Sequence, residues 1–270
     1  MSLSELRQGQ IAAGLRELGV GDGDAVLVHS SLSRFGYVHG GADAVIDALL
    51  QAVGPLGTVM VPTHTWGTVN AENPVFDVRR TPSMVGRITE VFRQRRGALR
   101  SLHPTHSCAG IGPAAAELLR GHETQVTPCG STSPYQRLME CGGKIVFLGV
   151  TFFVNTSFHA LEEMAGAPYL FDRFQMLYVV DYRGDKRPVP SRRHTDGLSR
   201  SFENMEPVLT GEAALVKGTI GRADVRVVDA AKMRDIVLPM LAEDPFVLLS
   251  WEAAGRVRRG YEQWHSSWRA

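Results

Sequence analysis

The residues best placed for chemistry in this 270-residue chain lie at 144–163, KIVFLGVTFFVNTSFHALEE. An apolar run over 145–150 predicts a buried strand, set off by Gly142-Gly143 before it and by Gly149 within it. Asn155-Thr156-Ser157 then opens a helical pattern. That pattern puts His159 in the first turn, with Glu162 and Glu163 three and four residues on, close to its face. A histidine just past the end of a buried strand sits where open α/β sheets place their chemistry. An imidazole there can act as a general base if an acceptor fixes its other nitrogen. Glu162 or Glu163 can supply that acceptor from the same helix, and Asp196 from a distant loop. The plainer reading of His159 is a residue that caps or packs at a helix start.

Two other segments carry residues of catalytic type. HSSLSRFGYVHGG, at 29–41, follows a predicted strand and ends in Gly40-Gly41 before a helix. Small residues let a ligand approach the backbone, and a helix N-terminus offers N–H groups to phosphate. The segment is neither GxGxxG nor a Walker loop, which disfavours a Rossmann or P-loop site. A simple strand-to-helix connection is the other reading. SLHPTHSCAGIG, at 101–112, crowds His103, Thr105, His106 and Ser107 around Pro104. With His29, His64 and His159 there are enough imidazoles for zinc, but no HxH or HExxH occurs, so no metal is expected. A serine hydrolase lacks its GxSxG elbow, and nothing local supports Cys108 or Cys141 as a nucleophile.

The elements that must position these residues alternate between strand and helix. Leu6, Ile11, Leu15 and Leu18 predict an amphipathic helix over 3–18, and Val45, Ile46, Leu49 and Leu50 predict one over 42–53. Helices are also predicted over 84–96, 113–120, 133–140 and 230–241, and strands over 25–29, 58–62, 107–111, 225–228 and 246–250. Segments 175–182 and 186–189, around Arg183-Gly184-Asp185, read as a hairpin. This alternation implies a mainly parallel or mixed sheet with helices on both faces. No repeat, linker or composition break interrupts 1–270, which reads as a single domain with a sizeable core. Hydrophobic content of 44% and charged content of 21% are those of an ordinary soluble protein. No apolar run is long enough for a membrane, and the N-terminus is too polar for a secretory signal. Three cysteines without a CxxC suit a reducing cytosol, so a cytoplasmic location is expected. A net charge of +1 and a pI near 7.8 argue against nucleic acid as a partner. Arg93, Arg95, Arg96 and Arg100 read as a solvated helix end.

Six segments in order carry a wider likeness: VHSSLSRFGYVHGGADAVIDALLQAVGPLGTVMVPT, NPVFDVRRTPSMVGRITEVFR, HPTHSCAGIGP, GSTSPYQRL, LGVTFFVNTSFHALEEMAGAPY and KGTIGRADVRVVDA. Over nearly its whole length the chain resembles the aminoglycoside 3-N-acetyltransferase family, the antibiotic N-acetyltransferases. The resemblance implies a three-layer sandwich with a central mixed, mainly parallel sheet, distinct from the commoner acetyltransferase fold. It implies acetyl transfer from acetyl-CoA to an amine of an aminoglycoside, at the 3-N position, within a direct ternary complex. The family's catalytic histidine lies in a pattern like NTSLHLAE, so His159 carries over as general base and Glu162 as the motif's glutamate. HTDGLSRSF points to Asp196 as support for the histidine or the substrate amine. Ser31, Leu32 and Ser33 and the turn with Val38, Gly40 and Gly41 carry over to the pantetheine and phosphates of CoA. Thr105, His106 and Ser107 carry over as the other wall.

The turn before His159 departs from the family's polar, acidic GHDxN and reads Thr151-Phe152-Phe153-Val154-Asn155. Polycationic aminoglycosides call for an acidic site. Glu72, Asp77, Glu123, Glu163, Asp196, Glu203 and Glu206 can build one, with Asp77, Glu163 and Asp196 expected at the substrate. Alternatively, Phe152 and Phe153 line a pocket for a smaller or less charged amine in a biosynthetic pathway, or simply pack in the core. A non-catalytic CoA-binding protein is a further alternative. The oligomeric state is left open, a homodimer included.

Overall fold

Alternation in AVLVHS, strand β1 (Ala25–Ser30), sends Val26 and Val28 into one apolar core and Leu27 into another. The division repeats in β2 (Thr58–Pro62), where Val59 and Val61 oppose Met60. A sheet that is apolar on both sides must be covered on both sides, and the computed structural model, which describes residues 5–250, 252, 254 and 255, shows this three-layer arrangement. The remaining strands are β3 (Val75–Asp77), β4 (Leu99–Arg100), β5 (Cys108–Ile111), β6 (Lys144–Leu148), β7 (Phe171–Val180), β8 (Lys186–His194), β9 (Leu215–Ile220) and β10 (Ala223–Asp229). The main sheet has the order β4-β5-β2-β1-β6-β10-β9. It is mixed, as expected, but parallel pairing is confined to its centre, where β1 pairs with β2 and β6. The other four pairs are antiparallel, so the parallel pairs are its centre and not its majority.

On one face lie α1 (Gln8–Glu17), α2 (Gly41–Val53) and α3 (Arg87–Arg93), which bury Ile11 and Leu15, Ile46 and Leu49, and Ile88 and Phe92. On the other lie α4 (Ala115–Leu119), α5 (Pro134–Glu140), α6 (Thr156–Ala165), α7 (Met205–Gly211) and α8 (Ala230–Glu243). Tyr135, Leu138, Phe158, Leu161, Met233 and Val237 fill that core. A second sheet, β3-β7-β8, holds its own cluster of Phe76, Leu177, Val179 and Val189. No helix among the described residues is long and apolar enough to cross a membrane.

Several expectations are corrected. Residues 3 and 4 of the first predicted helix lie outside the described residues, and the helix starts only at Gln8, because Leu6 is extended and bridges Val38. The helix predicted over 84–96 shrinks to Arg87–Arg93, since Met84 donates its N–H to the His64 carbonyl and Gly86 caps at φ +125°. The strand predicted over 246–250 is a run of turns: after Asp244-Pro245, the Asp244 carboxylate accepts the Phe246 N–H and coils the chain. The hairpin is longer than its apolar core suggested, extending through β8 to His194. Arg100 is not solvated. It lies 4% exposed between the two sheets.

Candidate active site

The carboxyl ends of β2, β1 and β6 point the same way, and β1 is the reversal point, with β2 on one side and β6 on the other. Such switch points leave a crevice. A cavity of about 330 Å³ opens here, lined by His29 and Ser30 ending β1, His64 after β2, His106 before β5, Thr156 and His159 on α6, and the loop after β8.

Asn155 sets where α6 begins, its side-chain oxygen accepting the Ser157 N–H at 3.1 Å. His159 therefore falls one turn in, beside the cavity. Its Nδ1 lies 2.6 Å from Glu162 Oε2, and the Tyr169 hydroxyl donates to Glu162 Oε1 at 2.6 Å. Glu162 is fully buried, with the Tyr169 O–H on one oxygen and the imidazole on the other. The imidazole proton is thus assigned to Nδ1, and Nε2 presents its lone pair. Nε2 meets the Ser199 hydroxyl at 3.1 Å on the cavity wall. The ring is wedged between His194, at 4.7 Å, and Phe202, at 5.0 Å.

Glu163 turns away from the cavity. It accepts from the Thr127 hydroxyl at 2.5 Å and the Cys129 N–H at 2.8 Å, and it lies 2.7 Å from His194 Nε2. Burial pushes its carboxyl up to about 7 and holds His194 well below the usual imidazole range. The expectation that Glu163 contacts substrate is corrected: it supports His194, which does line the cavity. Cys129, Glu163 and His194 offer ligand atoms within 4.8 Å of one another. These atoms are engaged within the protein, and burial raises the Cys129 thiol well above its ordinary value, away from the thiolate a metal needs.

Asp196 lines the cavity but is 81% exposed and paired with Arg193 at 2.7 Å. It has no hydrogen bond to His159, so of its two expected parts the structure leaves only the one toward a substrate amine; the carboxylate that meets the His159 ring is Glu162. Asp77 ends β3 and accepts the Arg79 and Arg80 N–H groups at 2.9 Å each; it shapes a turn and does not line the cavity. Of the wall at 105–107, His106 lines the cavity. Thr105 holds the His106 Nδ1 at 2.9 Å, and Ser107 is buried against Thr63 and Arg100. Phe152 and Phe153 divide: Phe152 is core, against Phe147 and Phe158, whereas Phe153 is 54% exposed on the cavity rim.

A groove of about 670 Å³ adjoins the cavity and shares Ser30 and Val85 with it. Ser31, Leu32, Ser33, Val38 and Gly41 line it, facing Gly86 and Arg87. Gly40 is outside the lining and caps α2 at φ +82°, so its part is to form the turn. A Cβ at Gly41 would meet nothing within 4 Å. Two serine hydroxyls 3.2 Å apart, the Arg87 guanidinium and the N-terminus of the thirteen-residue α2 make a donor set that fits the phosphate-bearing arm of CoA.

Sequence reasoning missed Ser199, His194 and Trp66 at this site. Ser199 and His194 lay in or beside HTDGLSRSF, but nothing in their spacing set them apart from Ser201 or His122.

Residues 27–242 match a family model described as aminoglycoside 3-N-acetyltransferase. Aminoglycoside N(3)-acetyltransferase VII of Streptomyces paromomycinus is 32% identical over 256 residues, covering 84% of this chain and 88% of that protein. Among solved structures, a histidine-to-alanine mutant of aminoglycoside acetyltransferase AAC(3)-IVa in complex with gentamicin has a TM-score of 0.83 at 27% identity, over 94% of this chain and 95% of that one. AAC-IIIb as a binary complex with CoASH has a TM-score of 0.79 at 26% identity, over 89% and 97%.

Proposed function

The chain belongs to the aminoglycoside 3-N-acetyltransferase family, and on that premise we propose that it moves the acetyl group of acetyl-CoA onto an amine of an aminoglycoside or similar aminocyclitol, at the 3-amino position, with His159 as general base. The observation that carries this reading is the imidazole itself. Nδ1 is tied to Glu162 at 2.6 Å, while Nε2 opens on the cavity beside a groove suited to CoA. An ammonium must lose a proton before it can attack a thioester, and Nε2 is the atom that takes it. The acceptor amine displaces the Ser199 hydroxyl from that lone pair or passes its proton through it. Thr156, on the cavity wall at the start of α6, brings a hydroxyl donor for the oxyanion. The buried thiols support direct transfer in a ternary complex: Cys108, pushed up to about 12, and Cys129 are outside the cavity lining. The same reading puts the enzyme in the cytoplasm as a single-domain protein.

With acetyl-CoA and gentamicin, free-thiol release should be catalysed, and His159→Ala should lower turnover by about two to four orders of magnitude. Binding of acetyl-CoA should persist in that variant. Turnover left nearly intact would make His159 structural. Ser199, His159 and Glu162 also have the geometry of a nucleophilic triad, which favours a second reading with an acetyl-Ser199 intermediate. Sequential initial-rate kinetics support direct transfer, whereas ping-pong kinetics with an acetyl group on Ser199 would select the triad.

A further inference from the structure

The cavity that holds the base and the groove suited to CoA meet at a neck. Among the described residues, Ser30 and Val85 alone line both. Gly86 approaches the same point, where an added Cβ would lie 3.7 Å from the Ser30 carbonyl oxygen. For acetyl transfer, the pantetheine arm lies along the groove while the amine waits at His159 in the cavity. The thioester carbon has to come within about 3–3.5 Å of that amine, so the reacting end of the arm passes the neck. Val85 is apolar, and the polar side chain there is Ser30.

Ser30 ends β1 and is half-buried, whereas the four residues before it are buried. Strand alternation puts its side chain on the face of Val26 and Val28. That face carries the starts of α2 and α3, which form part of the groove. His29 points to the other face and stacks on Phe147 at 5.2 Å. Among the described residues, the Ser30 hydroxyl oxygen is buried with no hydrogen-bond partner. Folded chains pair such atoms, so an orphan hydroxyl beside a ligand path calls for a ligand atom. Its neighbours Ser31 and Ser33 differ, because their hydroxyls already meet each other at 3.2 Å. His29 Nε2 and His194 Nδ1 are also unpartnered on residues of the cavity wall, but neither residue lines the groove. One χ1 turn moves a serine oxygen between staggered wells, so a ligand in the neck can engage it at little cost.

Resting on the acetyl-transfer reading above, we infer that Ser30 is a catalytic residue whose hydroxyl donates a hydrogen bond to the carbonyl oxygen of the acetyl-CoA thioester. Ser30 keeps its proton throughout. The amine nitrogen attacks the carbonyl carbon, the C–N bond forms, and the carbonyl electron pair moves onto oxygen. Ser30, together with the Thr156 hydroxyl, holds the charge that grows there. His159 Nε2 takes the amine proton. The electron pair then returns, the C–S bond breaks, and the departing thiolate takes the proton from His159. Free CoA has no carbonyl at this point, so the hydroxyl distinguishes the loaded co-substrate from the spent one.

Ser30→Ala tests this with a change small enough for the end of a strand. With gentamicin as acceptor, kcat should fall by about 10²–10³, as on loss of one oxyanion donor, while KM for gentamicin stays nearly the same. Infrared difference spectra of bound acetyl-CoA, isotope-labelled at its carbonyl and without acceptor, give a readout independent of turnover. The thioester carbonyl stretch should lie lower in the wild type than in Ser30→Ala. Calorimetry should show free CoA bound alike by both proteins, within about twofold, which reports that the variant is folded. A kcat within about threefold of wild type would overturn the inference. So would a carbonyl stretch equal in the two proteins, even where kcat falls, because a fall without that shift marks a structural role. No thiol release by the wild type across a panel of aminoglycosides would remove the acetyl-transfer reading instead, and the infrared comparison would still decide whether Ser30 meets the carbonyl.

Discussion

Glu162 does more than accept one hydrogen bond, because its two oxygens serve different partners. Oε1 takes the Tyr169 O–H and Oε2 takes His159 Nδ1–H, each at 2.6 Å, in a fully buried position. Replacing the carboxylate with an amide forces a choice. Tyr169 is a donor to this site, so in Glu162→Gln the amide oxygen stays with Tyr169 and the NH2 group faces Nδ1. That group donates to Nδ1 and drives the imidazole proton to Nε2, the atom that the proposed mechanism needs free to take one. Turnover should therefore fall by about two to four orders of magnitude, as expected when a base is held in the wrong tautomer. Glu162→Gln/Tyr169→Phe lets the amide turn round and should recover part of that loss. Steady-state kinetics on both variants check the argument. A double mutant no better than the single one would show that the tautomer is not what Glu162 controls.

Arg100 shows how much one side chain can do between elements. It belongs to β4 at the edge of the main sheet, yet its guanidinium reaches the Thr81 carbonyl beyond β3 at 2.6 Å, the Thr63 carbonyl beyond β2 at 2.7 Å, and the Thr63 and Ser107 hydroxyls at 3.0 Å. It also covers the Phe76 ring of the second sheet at 4.6 Å. Burial pulls its pKa down to about 9, since this cation is met by neutral oxygens. Lysine keeps the charge but not the planar fork, so Arg100→Lys leaves buried acceptors unmet and should cost about 2–4 kcal/mol. The midpoint of urea unfolding measures this, and an unchanged midpoint would refute the bridging role. The same residue marks the limit of what was legible. The apolar run of β6, the short apolar stretches of β1 and β2 and the helical spacing in α2 were local signals, and they identified the main sheet and its covering helices. Arg100 sat among other arginines, and its burial depends on a partner sheet distant in sequence. Likewise His159, Glu162 and Asn155 were readable because one helical turn relates them. Ser199 and His194 reach the site only through the long β7–β8 hairpin, and no local spacing encodes that.

Over the whole molecule, the histidines give stability a direction in pH. His29, His64, His103, His106, His122 and His194 are all buried. Five of these rings, all but His29, form a row with His159 that runs from His159 through His194 and His106 to His64, and from His106 through His103 to His122, at 4.6–6.1 Å. Burial lowers all six: His29 to about 3, His122 to about 4, and the others well below the ordinary 6.5. Each therefore stays neutral in the folded chain and takes up a proton on unfolding once the pH is below 6.5. The unfolded state binds more protons there, so stability is fully present above 6.5 and is lost as pH falls, by about 1.4 kcal/mol per pH unit for each histidine. Glu163 acts in the opposite sense. Its folded value, about 7 against an ordinary 4.5, makes the folded state the proton binder between those limits, so it favours folding as pH falls. One carboxyl against six imidazoles leaves the histidines in control. Against a total stability of about 5–15 kcal/mol, unfolding should set in between about pH 6 and pH 5, before ordinary carboxylates protonate. Urea midpoints should drop steadily from pH 7 to pH 5, with uptake of several protons on unfolding at pH 5.5. A midpoint that stays level or rises over that range would mean that the imidazole row is not held neutral by the fold.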